Sequence, residues 1–397
     1  MAFTLPQDMA ELHNALCNEL FEHIMPFWPR HAVDAAGGLN TCISDSGEVL
    51  NRDKWLWSQW RAVWVFSKLY NDFGNEQKWL DLATHIYSFA IKNGWDDGIQ
   101  GWRLCLAFDG SEIRGYESVY VDGFAIYGLT QYARATGDPQ AVAMARCTAD
   151  AVIEKLARPH HALPSFPYPI PTNTRAQGIP MIFSLVLWEL GQLLNEDRYR
   201  DAGVAQAREI LQAFYRPERG LVVERVATDG NELPAPLGTT IVPGHIIESM
   251  WFQIHIARDR GDEATIHQAC ELIKRNLEFG WDEEFGGIYL ARDADGGDEV
   301  GWGFADTKVW WPQTEALYAT LLAHQITGEP WCLQWFTRVY DYCMAHYPVR
   351  QHGEWTQRLD RKGELINDVV ALPVKDPFHL PRALIYCIQA TKETSNT

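Results

Sequence analysis

The sequence predicts an all-α protein, a barrel of six helical hairpins in which an inner ring of helices is enclosed by an outer ring. Helix-starting patterns recur in two interleaved sets along the 397 residues. The two sets differ in how apolar residues are distributed around each helix. Most linkers between the sets carry a short β-hairpin pattern. We therefore expect residues 1–397 to form a single (α/α) barrel domain.

The repeat is defined by where each helical pattern begins. Successive patterns of the second set begin 63 or 64 residues apart, and the last interval is 71 residues. Six helix pairs at this period are longer units than those of the common solenoids. The first set begins near Gln7, Glu76, Pro139, Asp197, Asp262 and Pro330, and the second near Asp53, Glu117, Pro180, Pro243, Asp306 and Pro377.

The two sets predict different positions in the barrel. Helices of the first set are amphipathic, as in Trp79–Ala83, which is typical of an outer layer. Helices of the second set are apolar or aromatic on nearly every side, as in Trp55–Trp64 and Met181–Leu187. A helix that is apolar all round is buried all round, so the second set forms the inner ring.

The linker sequences predict that short β-hairpins lie together at one end of the barrel, its mouth. Apolar alternation around a turn indicates a β-hairpin in residues 41–47, 104–110, 222–230, 288–296 and 355–363. The third linker differs, because residues 164–171 are proline-rich and too stiff for a hairpin. If every hairpin connects an outer helix to an inner one, all of them cluster at one end of the barrel.

Composition excludes several classes of partner. A net charge of −18 and a pI near 5.1 argue against nucleic acid or an anionic membrane. The eight cysteines include no Cys-x-x-Cys, so neither a zinc site nor a disulfide framework is indicated. The N-terminus has no signal-peptide pattern, and no apolar run reaches membrane-spanning length. We therefore predict a cytoplasmic protein, and its 17 tryptophans suit either core packing or stacking on sugar rings.

His245 is the first candidate for acid/base chemistry. Pro243 and Gly244 start an inner helix, so His245 lies in its first turn and Glu248 follows on the same face. The helix N-terminus disfavours extra positive charge and helps to keep a basic imidazole neutral. The alternative is a surface histidine near a helix cap.

Other polar residues interrupt the apolar inner helices. Charged groups there are costly to bury unless they are paired or used. Arg61 and Glu315 would account for each other as a buried ion pair, and this alternative stays open. Two histidines that each follow a helix-starting proline are harder to explain by packing. The candidates beyond His245 and Glu248 are Trp57, Arg61, Lys308, Trp311, Glu315, His379 and Arg382.

Four short motifs together resemble the N-acylglucosamine 2-epimerase family, which also contains cellobiose and mannose 2-epimerases and aldose–ketose isomerases. They are Pro-Gly-His-x-Ile-Glu-x-x-Trp at 243–251, Lys-x-Trp-Trp-x-x-x-Glu at 308–315, Phe-His-x-Pro-Arg at 378–382 and Trp-x-x-x-Arg at 57–61. The resemblance spans nearly the whole chain, with the motifs in order. The fold that it implies is the same six-hairpin barrel.

The resemblance also implies a role for each matching residue. His245 and His379 would exchange a proton with C2 of an open-chain sugar from opposite faces, and Glu248 would orient His245. Arg61 would hold and polarise the carbonyl oxygen, a role that suits a side chain that stays charged. The implied sugar contacts are Trp57, Tyr120, Lys308, Trp311, Glu315 and Arg382.

Two departures bear on the substrate. Isomerases and cellobiose epimerases of the family carry a third histidine on the third inner helix, where this chain has Pro180–Phe183. Many relatives also have tryptophan where this chain has Val374. The first departure favours N-acyl-D-glucosamine/N-acyl-D-mannosamine interconversion. A mannose/glucose 2-epimerase and an aldose–ketose (mannose) isomerase stay open as alternatives.

The implied chemistry needs no metal and no redox cofactor. Some members of the family respond to a nucleotide such as ATP, but this chain has no Gly-x-x-x-x-Gly-Lys-Ser/Thr loop that would locate such a site. The resemblance also suggests a homodimer.

Two alternative functions, in other classes of protein, stay open. An inverting glycoside hydrolase would use two carboxylates, here Glu248 and Glu315, about 6.5–9.5 Å apart. A non-catalytic sugar-binding protein would share the fold without the chemistry.

Overall fold

The structure is a computed structural model that describes residues 4–5, 7–298, 300–367 and 373–394. Thirteen α-helices lie in this part of the chain. They are α1 (Met9–Asn18), α2 (Phe27–His31), α3 (Leu56–Asp72), α4 (Gln77–Asn93), α5 (Val119–Thr136), α6 (Pro139–Leu156), α7 (Gly178–Leu194), α8 (Asp197–Glu209), α9 (Pro243–Arg260), α10 (Glu263–Gly280), α11 (Trp310–Thr327), α12 (Pro330–His346) and α13 (His379–Thr394).

Six of these helices form a closed inner ring. α3, α5, α7, α9, α11 and α13 each contact the next, and α13 contacts α3 to close the circle. α4, α6, α8, α10 and α12 each pack on the inner helix that precedes them, and α1 packs on α13. The predicted barrel is confirmed, and all twelve predicted helix starts fall within four residues of the observed ones.

Burial explains why the two sets of helices take these places. Residues 181–188 of α7 are all buried, as expected for a helix surrounded by protein. On α4, Trp79 and Ala83 are buried whereas Asp81 is exposed, which is the one-sided pattern of an outer helix. The apolar periodicity in the sequence therefore separates the inner ring from the outer ring.

Short strands decorate the mouth at which the inner helices begin. Several of the strands that directly precede an inner helix pair with a strand in the next linker that leads to an inner helix, as Lys54–Trp55 does with Cys105–Leu106. The same relation joins Thr240–Ile241 to Arg292–Asp293 and Lys308–Val309 to Arg358–Leu359. The backbone N–H of Lys375 donates to the Thr41 carbonyl at 2.6 Å, so the last linker contacts the first. The linkers thus form a second ring above the helices.

The strands have the following bounds: Cys42–Ile43, Val49–Asn51, Lys54–Trp55, Trp95–Asp96, Gly101–Trp102, Cys105–Leu106, Glu112–Arg114, Thr174–Ala176, Tyr215–Arg216, Leu221–Val222, Arg225–Ala227, Thr240–Ile241, Arg292–Asp293, Lys308–Val309, Pro348–Val349, Glu354–Trp355 and Arg358–Leu359.

Two expectations about these linkers need correction. The segments 222–230 and 288–296 do not pair as hairpins with themselves. Arg225–Ala227 pairs with Thr174–Ala176 of the proline-rich third linker, and Arg292–Asp293 pairs with Thr240–Ile241. The unpaired edge of a strand in one linker thus forms its backbone hydrogen bonds with a strand of the neighbouring linker. In addition, Lys54 and Lys308 lie on strands just before α3 and α11, not on those helices.

A search of the described helices finds none with the length and apolar character needed to cross a membrane.

Candidate active site

His245 lies in the first turn of α9 and is held by a carboxylate from another element. Its Nδ1 is 3.1 Å from Oε2 and 3.2 Å from Oε1 of Glu224, which lies in the preceding linker. Burial lowers the pKa of His245, but the charge and hydrogen bond of Glu224 outweigh it and raise the pKa overall. An ionised carboxylate only accepts hydrogen bonds, so the proton is on Nδ1 and Nε2 is left for other partners.

This contact corrects the expected role of Glu248. Three residues along α9 from His245, Glu248 is one helical turn deeper in the barrel, where it is buried and accepts a hydrogen bond from Arg382. The linker carboxylate Glu224, by contrast, lies at the mouth beside the imidazole. Glu224 therefore takes the orienting position that the sequence assigned to Glu248.

His379 starts α13 and has the same arrangement with a different carboxylate. Its Nδ1 is 2.8 Å from Oε1 of Glu315. The other Glu315 oxygen, Oε2, accepts a hydrogen bond from Nε1 of Trp251 at 2.9 Å. Burial lowers the pKa of His379 to about 3, and the charges of Arg382 and Arg61 act in the same direction. The imidazole is therefore neutral, with the Nε2 lone pair available as a base.

Trp311 connects the two imidazoles. The His245 ring stacks on the indole with ring centroids 5.0 Å apart, and the His379 ring lies 5.7 Å from the same indole. A Cβ atom on Gly244 would come within 2.5 Å of the indole, so the glycine permits this close approach. The two histidines predicted from distant parts of the sequence are thus brought to one site, and Trp311 lies there with them.

Arg382 lies behind this site and not at its surface. The side chain is 1% exposed, and its Nη2 donates to Oε1 of Glu248 and, at 2.7 Å, to Oε1 of Glu315. This corrects the expected direct sugar contact, because both carboxylates occupy the guanidinium. Arg382 is a positioning residue: it fixes the Glu315 carboxylate that in turn holds His379.

The same contacts bear on two other uses of this cluster. Ligand atoms of Glu248, Glu315 and His379 lie within 4.8 Å of one another, a spacing that suits a metal ion. The Arg382 guanidinium already supplies the positive charge among them. The spacing is also shorter than the separation that an inverting hydrolase needs between its two carboxylates. The geometry therefore disfavours the hydrolase reading.

Arg61 projects from α3 into the same region. Its Nη1 donates to Oδ2 of Asp376 at 3.1 Å, and Ser58 Oγ donates to the same oxygen at 2.7 Å. The guanidinium also lies over the Phe124 and Phe378 rings, 4.1 and 5.0 Å from their centroids. Arg61 is therefore paired with Asp376 and not with Glu315, and its side chain stays 20% exposed.

Tyr120 and Trp57 lie at the edge of the mouth. Burial raises the pKa of Tyr120, with the charge of Glu224 acting in the same direction and that of Arg225 opposing it, so its hydroxyl stays protonated. Trp57 stacks with Phe166, with ring centroids 6.4 Å apart, and its indole Nε1 is buried without a hydrogen-bond partner among the described residues.

Lys308 is not brought to the site. It is fully buried beneath the linker ring, where its Nζ pairs with Asp282 at 3.0 Å and donates to the Gly286 carbonyl at 2.7 Å. The expected sugar contact is corrected accordingly. Lys308 instead ties together the two ends of its own linker, between α10 and α11. Lys54 does the same in the linker before α3 by pairing with Asp34 at 2.8 Å.

Comparison with known proteins agrees with the geometry. The sequence profile of the N-acylglucosamine 2-epimerase (GlcNAc 2-epimerase) family matches residues 37–383. The N-acylglucosamine 2-epimerase of Mus musculus is 28% identical over 379 residues, which cover 93% of this chain and 89% of that protein. The cellobiose 2-epimerase of Ruminococcus albus is 25% identical, over 91% of this chain and 94% of that protein.

Solved structures share the fold at lower identity. The cellobiose 2-epimerase of Bacillus thermoamylovorans superposes with a TM-score of 0.83 at 19% identity, covering 96% of this chain and 99% of that one. A D-mannose isomerase gives 0.79 at 17% identity, covering 99% of this chain and 100% of that one. These structural similarities confirm the six-hairpin barrel. The match to the sequence profile identifies the family within that fold. The chain therefore belongs to the N-acylglucosamine 2-epimerase family and is an isomerase of the racemase and epimerase class.

Proposed function

We propose that this protein inverts C2 of an open-chain aldose, interconverting N-acyl-D-glucosamine and N-acyl-D-mannosamine. The observation that carries the proposal is the matched pair of imidazoles. His245 and His379 each direct Nδ1 to a glutamate and keep Nε2 free of hydrogen bonds to the described residues. Inversion at one carbon requires a proton to leave one face and another to arrive on the opposite face, which two such groups supply.

The pKa values of the two histidines are shifted in opposite directions, so His379 starts as the neutral base and His245 as the group that more readily holds a proton. In one direction neutral His379 removes the C2 proton as a base. The C–H electron pair forms the C1–C2 double bond, and the carbonyl electron pair moves onto O1 to give an enolate. His245, whose pKa is raised by Glu224, then donates a proton to C2 from the other face. The reverse direction exchanges the two roles, because each step must run backwards through the same groups.

Arg61 is proposed to stabilise the oxygen on which charge develops. The guanidinium is fixed by Asp376 and two phenylalanine rings, so it does not reorganise when the enolate forms. An arginine stays charged at any working pH and presents a planar fork of donors. Its partial exposure leaves room for a ligand oxygen beside the Asp376 contact.

The preference for an N-acyl substrate rests on α7 and on the relatives. The resemblance implies that isomerases and cellobiose epimerases of the family carry a histidine on α7, where this chain has the buried apolar residues Met181 and Ile182. An apolar wall suits the methyl end of an acetamido group better than a hydroxyl. The N-acylglucosamine 2-epimerase of Mus musculus also covers the chain at higher identity than the cellobiose epimerases do. We propose further that catalysis needs no metal or redox cofactor, that a nucleotide such as ATP is at most an activator, and that the protein is a cytoplasmic homodimer.

The first experiment is a substrate panel. N-acetylglucosamine, N-acetylmannosamine, mannose, glucose and cellobiose are incubated with the enzyme, and the products are resolved by NMR. We expect C2 inversion of the two N-acetyl sugars to be fastest. A ketose product, or faster turnover of mannose, would replace this substrate assignment with the isomerase or hexose epimerase alternative.

The second experiment tests the two-histidine mechanism in D2O. We expect the wild-type enzyme to place deuterium at C2 of the product, because an imidazole at an open mouth exchanges with solvent between steps. His245→Asn and His379→Asn should each lose epimerisation by about 1,000-fold or more. Each variant should still exchange the C2 proton of one epimer, and the two variants should act on different epimers. Undiminished epimerisation by either variant would remove both residues from the mechanism.

A further inference from the structure

A second cavity lies at the opposite end of the barrel from the histidines. It has a volume of about 360 Å³ and opens where the inner helices end, with every inner helix contributing a side chain from its C-terminal half. The proposed catalytic residues come from the opposite, N-terminal halves of these helices. Charged, amide and indole side chains line much of the cavity, among them Arg134, Trp188, Glu189, Gln192, Arg258 and Asp259.

Opposite charges share this cavity without neutralising each other. Within the described part of the chain, neither Arg134 nor Arg258 forms a hydrogen bond or ion pair. Asp259 Oδ2 accepts hydrogen bonds only from neutral groups, Trp188 Nε1 at 3.2 Å and Gln192 Nε2 at 3.1 Å. Glu189 likewise accepts from the amide of a glutamine, at 3.4 Å. Lys68, which also lines the cavity, pairs with Asp72 outside the lining at 2.8 Å. In the described part of the chain, no ion pair therefore joins a cation and a carboxylate of the lining.

Helix electrostatics explain only part of this arrangement. Arg134 and Arg258 lie in the last turns of α5 and α9, where positive charge complements the helix dipole. Asp259 lies in the same last turn of α9, and its negative charge opposes that dipole. Arg134, Arg258 and Asp259 are all exposed, so both signs of charge are available to a ligand that enters the cavity.

The chemistry of the lining selects the class of ligand. Glu189, Asp259 and six helix C-termini repel an anion, and Lys68 and the two arginines repel a cation. A hydroxyl group accepts from a guanidinium and donates to a carboxylate, so adjacent hydroxyls satisfy both. Trp188, Tyr318 and Tyr386 supply aromatic surface. We propose that this end of the barrel is a second binding site, for a neutral polyhydroxylated molecule of monosaccharide size.

The new site and the catalytic site share a partition. Tyr318 and Tyr386 stack with centroids 4.7 Å apart at the base of the cavity. Both rings contact Trp251, at 5.3 and 5.6 Å, and the Trp251 indole donates to Glu315 on the catalytic side. An experiment must therefore observe the two ends of the barrel separately.

The test uses the full-length protein labelled with 5-fluorotryptophan and observed by 19F NMR. The resonances of Trp188, for the new cavity, and Trp311, for the catalytic mouth, are assigned with Trp188→Phe and Trp311→Phe. The probes are methyl α-D-mannopyranoside and methyl α-D-glucopyranoside, whose locked rings cannot open and therefore cannot turn over. Inorganic phosphate serves as the anionic probe.

We expect a methyl glycoside to shift the Trp188 resonance saturably at millimolar concentration. Arg258→Gln and Asp259→Asn should each weaken that binding about tenfold, since each removes a charged hydrogen-bond partner. Arg260→Gln, on the same helix end but outside the cavity, should not change it.

Three results would overturn the proposal. The first is no saturable Trp188 shift up to about 100 mM glycoside, well beyond ordinary weak binding. The second is a shift with phosphate and not with the glycosides. The third is a Trp188 shift whose midpoint follows that of Trp311 and is the same in Arg258→Gln, because the effect would then come from the catalytic mouth.

Discussion

Glu224 Oε2 lies 3.1 Å from Nδ1 of His245, although the two residues are 21 positions apart and belong to different elements. The carboxylate comes from the linker ring and the imidazole from the first turn of α9. The charge state of His245 therefore depends on how the linker packs against the inner helices. A change in the linker alone should alter the chemistry without disturbing the barrel.

Glu224→Gln tests this dependence. The amide keeps the size of the side chain but loses the charge that raises the pKa of His245, so that pKa should fall. When His245 acts as the acid, activity is lost as pH rises through its pKa. The alkaline limb of the kcat profile should therefore move to lower pH, and kcat should drop about 10- to 100-fold.

The matched control is Glu218→Gln, which changes an exposed glutamate earlier in the same linker. It should leave the pH profile unchanged. An unshifted alkaline limb in Glu224→Gln would show that this carboxylate does not set the protonation of His245.

The sequence predicted the barrel well because its information is local. Apolar residues around each of α3, α5, α7, α9, α11 and α13 are enough to mark a buried helix, and prolines such as Pro243 mark where a helix begins. Strand pairing between neighbouring linkers was not predictable in the same way. The partner of Arg225–Ala227 lies about 50 residues earlier in a proline-rich segment with no strand pattern of its own.

The site was predicted in part for a similar reason. His245, His379 and Arg61 were found because each is a polar residue in an apolar helix. Their partners Glu224 and Asp376 lie in linkers, where carboxylates are common and carry no periodic signal. The i, i+3 spacing pointed to Glu248 as the partner of His245, but it could not show that Arg382, from the facing helix α13, binds Glu248.

Arg61→Lys tests whether activity needs the planar guanidinium or only its positive charge. Lysine keeps the positive charge but cannot present two parallel donors, nor stack flat on Phe124 and Phe378. We expect turnover to fall about 100-fold or more, as for the loss of an oxyanion donor. Asp376→Asn keeps Arg61 but loosens it, so its loss of kcat should be smaller. Unimpaired turnover in Arg61→Lys would assign Arg61 a purely structural ion pair with Asp376.

Arg382→Gln should affect stability as well as catalysis. The substitution leaves Glu248 and Glu315 buried without their cation, a situation that costs about 3–5 kcal/mol of unfolding free energy. Denaturant unfolding monitored by circular dichroism measures the change. Adding Glu248→Gln should recover part of the loss, because one unpaired charge is removed.

The control for Arg382 is the exposed pair of Arg338 and Glu283. Arg338→Gln should cost less than about 1 kcal/mol, as is usual for a surface ion pair. If Arg382→Gln costs no more than this control, the buried cluster is not held together by the guanidinium.

Gly244→Ala should displace Trp311 from between the histidines. The new Cβ would lie 2.5 Å from the indole and 2.8 Å from Pro312 Cβ, so the indole must move. A misplacement of about 1 Å near reacting groups costs about 100-fold in rate, and we expect that loss in kcat. Gly303→Ala adds a Cβ where no atom lies within 4 Å and should be neutral. Full activity in Gly244→Ala would show that the position of Trp311 is unimportant.

Two histidines of the inner ring, His255 and His379, should make stability depend on pH. Burial lowers the pKa of His255 and of His379 to about 3, whereas an unfolded histidine titrates near 6.5. Between these values the unfolded chain binds protons that the folded chain does not. The contribution of each histidine is therefore fully present above pH 6.5 and is lost as pH falls towards 3. Each contributes a slope of about 1.4 kcal/mol per pH unit.

His255→Asn isolates one of these contributions, because asparagine takes up no proton in either state. His255 contacts Tyr318 at 2.6 Å and lies outside the proposed catalytic residues, so the comparison does not depend on activity. Urea unfolding at pH 6.5, 5.5 and 4.5 should show the variant losing stability more slowly than the wild type, by about one proton. His267→Asn, on the exposed face of α10, should follow the wild-type slope. Equal slopes for wild type and His255→Asn would mean that His255 binds its proton equally in the folded and unfolded chains, so that folding does not lower its pKa.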